Sequence, residues 1–163
     1  MTIILDMGGV LMQHNMPECI RRFCEMLGEE GMANTLGMKV NAEGLPDSLM
    51  EKFECGLVTT EEFVHTILAN AKEGTTEQQI IDAWNTMHAG IPRERIEQIK
   101  RWKKLGHHLL LLSNNNALHW EDIHAHYDMS IFDQCFASHL VHSHKPNKPI
   151  YEHIQKYLID NQY

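Results

Sequence analysis

Short apolar runs alternate with amphipathic stretches along the chain. Ile3-Ile4-Leu5 is a continuous apolar run that stops at Asp6 and is followed by Gly8-Gly9. It predicts a buried parallel strand ending in a tight loop. From Asn15 the period lengthens: Ile20, Phe23, Cys24 and Leu27 share one helical face before Gly28, and Asn15 with Glu18 has capping-box spacing. Asp47 opens a short helix that runs to Gly56. Thr59-x-x-Glu62 reads as another capping box, ahead of a stripe of Phe63, Val64, Ile67, Leu68 and Ala71. Thr76 starts a further helix through Ile80, Ile81, Trp84 and Met87. No strand pattern stands out between Asn15 and Gly90, and 28–46 is the least regular stretch.

Ile91-Pro92 begins a long helix with Ile96, Ile99 and Trp102 on one face. Lys100, Arg101, Lys103 and Lys104 load its C-terminal end, where they suit the macrodipole, and Gly106 ends it. Leu109 to Leu112 predicts a second buried strand, ending at Ser113-Asn114. A helix over Ala117–Tyr127, a short strand over Cys135–Ser138 and a last helix from near Pro149 complete the chain, the last with Ile150, Ile154, Tyr157 and Leu158 facing inward. Strands separated by helices predict an α/β fold with a parallel sheet. Residues 15–90 then read as a helical insertion between the first strand and the rest of the core, 1–14 and 91–163. Trp84 and Trp102 are expected to anchor the packing of one against the other.

Composition narrows the function classes. The chain has 163 residues and a formal charge of −8, which disfavours nonspecific binding to nucleic acid or a membrane surface. No apolar run approaches the ~20 residues of a bilayer span. The N-terminus lacks the basic region of a signal peptide. Cys19, Cys24, Cys55 and Cys135 form no CxxC pair and are expected as reduced thiols in a cytoplasmic protein. The histidine groups His119, His124, His126 and His139, His142, His144 fit no metal-ligand spacing and are expected on the solvated surface.

The chemistry collects where strands end, which is where open parallel sheets bind ligands. The first end offers Asp6-Met7-Gly8-Gly9, the second Ser113-Asn114-Asn115-Asn116, and Lys145 stands alone just before the last helix. A carboxylate, a hydroxyl beside a free backbone N–H, and an ammonium suit phosphate chemistry. The carboxylate can attack, the hydroxyl and N–H groups can hold phosphoryl oxygens, and the lysine can neutralise developing charge. Mg²⁺ is the hard cation that would bring carboxylate and phosphate together.

These three segments resemble the first three motifs of the haloacid dehalogenase (HAD) superfamily: Ile-Ile-Leu-Asp6-Met-Gly-Gly-Val-Leu, Leu-Leu-Leu-Leu-Ser113-Asn114-Asn-Asn, and Lys145-Pro146-Asn147-Lys148-Pro149-Ile150-Tyr151. The resemblance implies a Rossmann-like core with a helical cap inserted after the first strand. It implies a phosphatase acting on a small phosphorylated metabolite. Asp6 would be nucleophile and Mg²⁺ ligand, the Gly8 carbonyl a second ligand, Ser113 and Asn114 the phosphate holders, and Lys145 the charge balance.

The sequence departs from the family pattern twice. Gly8 stands where most phosphatases of the superfamily carry an acid that protonates the leaving oxygen, and among the nearby Gln13, His14 and Asn15 only His14 titrates. Nothing matches the fourth motif, a further strand ending in an acidic pair, because Leu158-Ile159-Asp160 belongs to the last helix. The strand bearing Asp6 is therefore expected to have an open edge, either because the chain is a piece of a longer protein or because the edge pairs with another chain. Two alternatives accompany the phosphatase reading: an inactive relative of this fold that only binds, and a metal-independent 2-haloacid dehalogenase, whose halide leaves without a proton.

Overall fold

The computed structural model describes residues 1–38 and 47–163. Strands β1 (Thr2–Leu5), β2 (His108–Ser113) and β3 (Gln134–Ala137) form one parallel sheet in the order β1-β2-β3. Leu5 lies beside Leu111 and Ser113 beside Ala137, so the residues that follow all three strands emerge at one end. The run of leucines in β2 is unbroken because both faces are covered. Leu109 and Leu111 pack with Ile99 of helix α5 (Arg93–Lys104) and Ile123 of α6 (Ala117–His126). Leu110 and Leu112 pack on the opposite face with Phe136 and with Ile150 and Ile154 of α8 (Lys148–Asp160). β1 has one strand neighbour among the described residues, and Ile4 is 46% exposed although its register partner Leu110 is sealed.

Between β1 and α5 lie α1 (Met16–Leu36), α2 (Leu49–Glu54), α3 (Thr60–Leu68) and α4 (Glu77–Asn85), with no strand among the described residues there. These helices share an apolar cluster around Trp84 that also takes in Leu118 of α6. Phe53 stacks on Phe63 at 4.1 Å, and Phe63 meets Trp84 edge-on at 4.9 Å. The capping boxes at Thr59 and Thr76 form as their spacing predicts.

Other local signals are overridden. Asn15 makes no side-chain cap, because its backbone N–H donates to the Met87 carbonyl. Gln13 and Ala89 extend that pairing, so the chain entering the helical block is zipped antiparallel to the chain leaving it. Gly28 breaks helical geometry with φ 74° and ψ 166°, but the helix resumes to Leu36, because Met32 and Leu36 bury in the same cluster. Ser48 rather than Asp47 caps α2. Beyond β3, Ser138–Val141 forms a short helix, α7, where the sequence predicts only the strand's end. Residues 39–46, part of the stretch 28–46, lie outside the described residues. Among the described residues no helix is long and apolar enough to cross a membrane.

Candidate functional site

A cavity of about 270 Å³ opens over the ends of β1 and β2, and Asp6, Ser113, Asn114 and Lys145 all line it. Asp6 directly follows β1; its Oδ1 accepts from the Met7 backbone N–H at 2.8 Å. Its Oδ2 pairs with Lys145 Nζ at 2.6 Å. Lys145 is held from three sides. Its ammonium also donates to the Leu112 carbonyl at 3.0 Å, its backbone N–H donates to Asn114 Oδ1 at 2.7 Å, and Asn114 Nδ2 donates to its carbonyl at 3.1 Å. A flexible lysine would lose much rotamer entropy on forming one surface pair. Here the clamp removes that freedom, so the ammonium is aimed at Asp6 before any ligand arrives. Ser113 is buried at the end of β2, and the N-cap of α6 falls to Asn116, whose side chain accepts from the His119 N–H. Ser113 and Asn114 are therefore not used as that helix's cap.

The loop after Asp6 folds back on itself: Leu11 and Met12 both donate to the Met7 carbonyl. This return brings His14 over Gly8. A Cβ on Gly8 would lie 2.7 Å from Cε1 and 2.8 Å from Nε2 of His14. The imidazole therefore fills the place that a side chain at position 8 would take, and it lines the same cavity as Asp6. No described backbone N–H is bonded to the Gly8 carbonyl. Among the described residues no group of three or more His, Cys, Asp or Glu is placed to hold a metal. One carboxylate and one carbonyl suit an ion that keeps several waters and takes substrate phosphate oxygens, as Mg²⁺ does, and do not make an all-protein cage.

The wall facing the strand ends comes from the helical block, with Met16, Glu54, Met87 and His88. Burial pushes the Glu54 carboxyl above its ordinary range. Burial also lowers His88, against the pull of Asp122, whose Oδ2 lies 3.0 Å from His88 Nδ1. His119, expected on the surface, is in fact 4% exposed and pushed down to about 3 by desolvation. Its Nε2 donates to the Trp84 carbonyl at 3.0 Å while Nδ1 faces Asn116 Nδ2 at 3.1 Å, a pattern that fits only the neutral ring. Trp84 Nε1 in turn donates to Asn116 Oδ1 at 3.1 Å, so this tryptophan does anchor the helical block to α6. Ser138, the first residue after β3, joins both sides: its Oγ donates to the Glu54 carbonyl at 2.6 Å and accepts from the Asn115 N–H at 2.8 Å.

Sequence reasoning missed Glu54, His88 and Ser138. The rule that chemistry sits at strand ends could have found Ser138. Glu54 and His88 carry no local signal, since only the packing of the block on the core brings them to the cavity.

Neither a protein-family model nor a curated protein matches the chain. Solved structures do. A HAD family enzyme from Bacteroides thetaiotaomicron, in complex with magnesium and inorganic phosphate, superposes with a TM-score of 0.80 at 23% identity, over 94% of this chain and 76% of that one. A structure described as a predicted HAD-like family hydrolase from Porphyromonas gingivalis gives 0.77 at 27% identity, over 99% of this chain and 76% of that one. With its parallel sheet, its helical block after β1 and its three motifs in order, the chain carries the fold of the haloacid dehalogenase-like hydrolase superfamily.

Proposed function

We propose that this chain is a Mg²⁺-dependent phosphatase of a small phosphorylated metabolite, working through an aspartyl-phosphate on Asp6. The observation that carries the reading is the Asp6–Lys145 pair at 2.6 Å, in a cavity that Ser113 and Asn114 also line. Magnesium and phosphate in the Bacteroides enzyme support it. Asp6 Oδ would attack phosphorus as the bond to the leaving oxygen breaks. Ser113 Oγ and the Asn114 N–H would hold phosphoryl oxygens, and Lys145 would offset charge on them. His14 would give its proton to the leaving oxygen and recover one from solvent, and water then cleaves the acyl-phosphate and frees Asp6. Asp6 and the Gly8 carbonyl would hold Mg²⁺, which supplies charge neutralisation.

In this reading 15–90 is a cap on a core of 1–14 and 91–163, and the backbone pairing of 13–15 with 87–90, where the chain enters and leaves the block, supports that division. The four free thiols suit a cytoplasmic setting. The open edge of β1 is proposed to pair with a second copy.

Hydrolysis of p-nitrophenyl phosphate with Mg²⁺ tests the function. We expect turnover in the native chain and background rates in Asp6→Asn. Absence of turnover with or without metal, together with halide release from 2-haloacids, would move the assignment to the dehalogenase.

A further inference from the structure

In-line attack by Asp6 sends the leaving group to the side of phosphorus away from the carboxylate. That side is given to the lining residues of the helical block, Met16, Glu54, Met87 and His88. Among the described residues lining the cavity only Asp6 and Glu54 carry carboxylates, and Glu54 comes from this block. Its position is fixed by the core: Ser138 Oγ donates to its carbonyl at 2.6 Å, and His142 Nδ1 lies 3.1 Å from the next carbonyl, that of Cys55. Gly56 follows at φ 64°, packed so tightly that any side chain there would strike the His139 carbonyl.

Among the described residues the basic groups around the cavity make their hydrogen bonds elsewhere, although His144 still pulls on the Glu54 carboxyl against the effect of burial. Lys145 serves Asp6 and Leu112, His144 Nε2 lies 3.0 Å from Glu51 Oε1, and His88 faces Asp122. Among the described residues no donor meets the Glu54 carboxyl. Burial has already pushed that carboxyl upward. A partly desolvated carboxyl gains more from a donor on the ligand than one in open water does. Met16 and Met87, which line the same cavity, suit methylene groups.

We infer that Glu54 selects the substrate: the chain takes phosphomonoesters whose alcohol part is short and carries a hydrogen-bond donor, a hydroxyl or an ammonium, within a few atoms of the ester oxygen. This rests on the phosphatase reading above and names the substrate class of the same site.

Three near-isosteric probes test it: 2-aminoethyl, 2-hydroxyethyl and n-propyl phosphate. Calorimetry on the Asp6→Asn chain in Mg²⁺ buffer measures binding without turnover, with inorganic phosphate as the reference. At least one donor-bearing ester is expected to bind about tenfold or more tighter than the propyl ester. With Glu54→Met added, the three esters should fall within about threefold of one another. With Glu54→Gln added instead, a hydroxyl preference survives and an ammonium preference is lost, which separates the two donors. Melting curves confirm that each variant is folded. Equal binding of the three esters with Glu54 in place, or a preference that persists in Glu54→Met, overturns the inference while leaving the phosphatase reading standing. If inorganic phosphate and all three esters fail to bind and the native chain fails to turn over p-nitrophenyl phosphate, both fall.

Discussion

At position 8 a side chain would require the His14 imidazole to turn aside, since a Cβ there would come within 2.7 Å of His14 Cε1. The glycine and the histidine are thus two halves of one arrangement. An acid introduced by Gly8→Asp would have to displace the ring before it could work. If His14 protonates the leaving oxygen, its removal should matter only where that oxygen is a poor leaving group. We expect His14→Ala to slow hydrolysis of alkyl phosphates by about 10²–10⁴-fold, the usual range for a lost general acid. Hydrolysis of p-nitrophenyl phosphate, whose phenolate departs without help, should change little. Equal losses on both substrates in steady-state kinetics would remove His14 from proton transfer. Asp6, Ser113 and Lys145 were legible in the sequence because each follows a recognisable apolar run or turn signal. The meeting of residues 8 and 14 was not, because it depends on Leu11 and Met12 folding back to the Met7 carbonyl.

Between elements, the same contrast separates local from long-range control. The caps at Thr59 and Thr76 need only three residues of context, and they form where the spacing places them. The Asn15 signal has the same form and fails, because the chain around it pairs with 87–90. Burial of His119 was equally hidden, since its two partners come from α4 and from the α6 cap. That burial has a measurable consequence. His119 is held at about 3 in the folded chain against an ordinary value of 6.5. Between those values the unfolded chain takes up a proton that the folded chain refuses, so stability falls as pH drops through this window. His88 is shifted in the same direction. From His119 alone the loss is about 2 kcal/mol on going from near pH 7 to near pH 5. That corresponds to a drop of roughly 4–8 °C in Tm for a chain of this size. His119→Gln can still hydrogen-bond but does not titrate over this range. Its melting temperature, followed by circular dichroism, should depend less on pH than that of the native chain. An unchanged pH dependence would place the linkage elsewhere.

For the whole molecule, the sheet's two sides are not equivalent. At one face Leu110 and Leu112 are closed by α8, while Ile4, on the same face of β1, stays 46% exposed. The N–H of His108 donates to the Met1 carbonyl, so by strand alternation the backbone groups of Ile3 and Leu5 also point to β2, and those of Thr2 and Ile4 point to the open edge. An exposed apolar residue beside unpaired backbone groups is a template for pairing with another strand. The expected outcome is self-association that grows with concentration, read by light scattering, with slower hydrogen exchange at the Ile4 amide as association proceeds. Ile4→Lys puts a charge on that edge, the device by which natural sheets block pairing. It should shift the chain towards monomer while leaving the melting temperature within a few degrees, since the side chain it replaces is already half in water. A native chain that stays monomeric at all concentrations, with a fast-exchanging Ile4 amide, would show that the edge is simply solvated. Because β1 delivers Asp6 to the cavity, the comparison also reports on the site. If pairing steadies β1, phosphatase activity per chain should rise with concentration in the native protein and stay flat in Ile4→Lys.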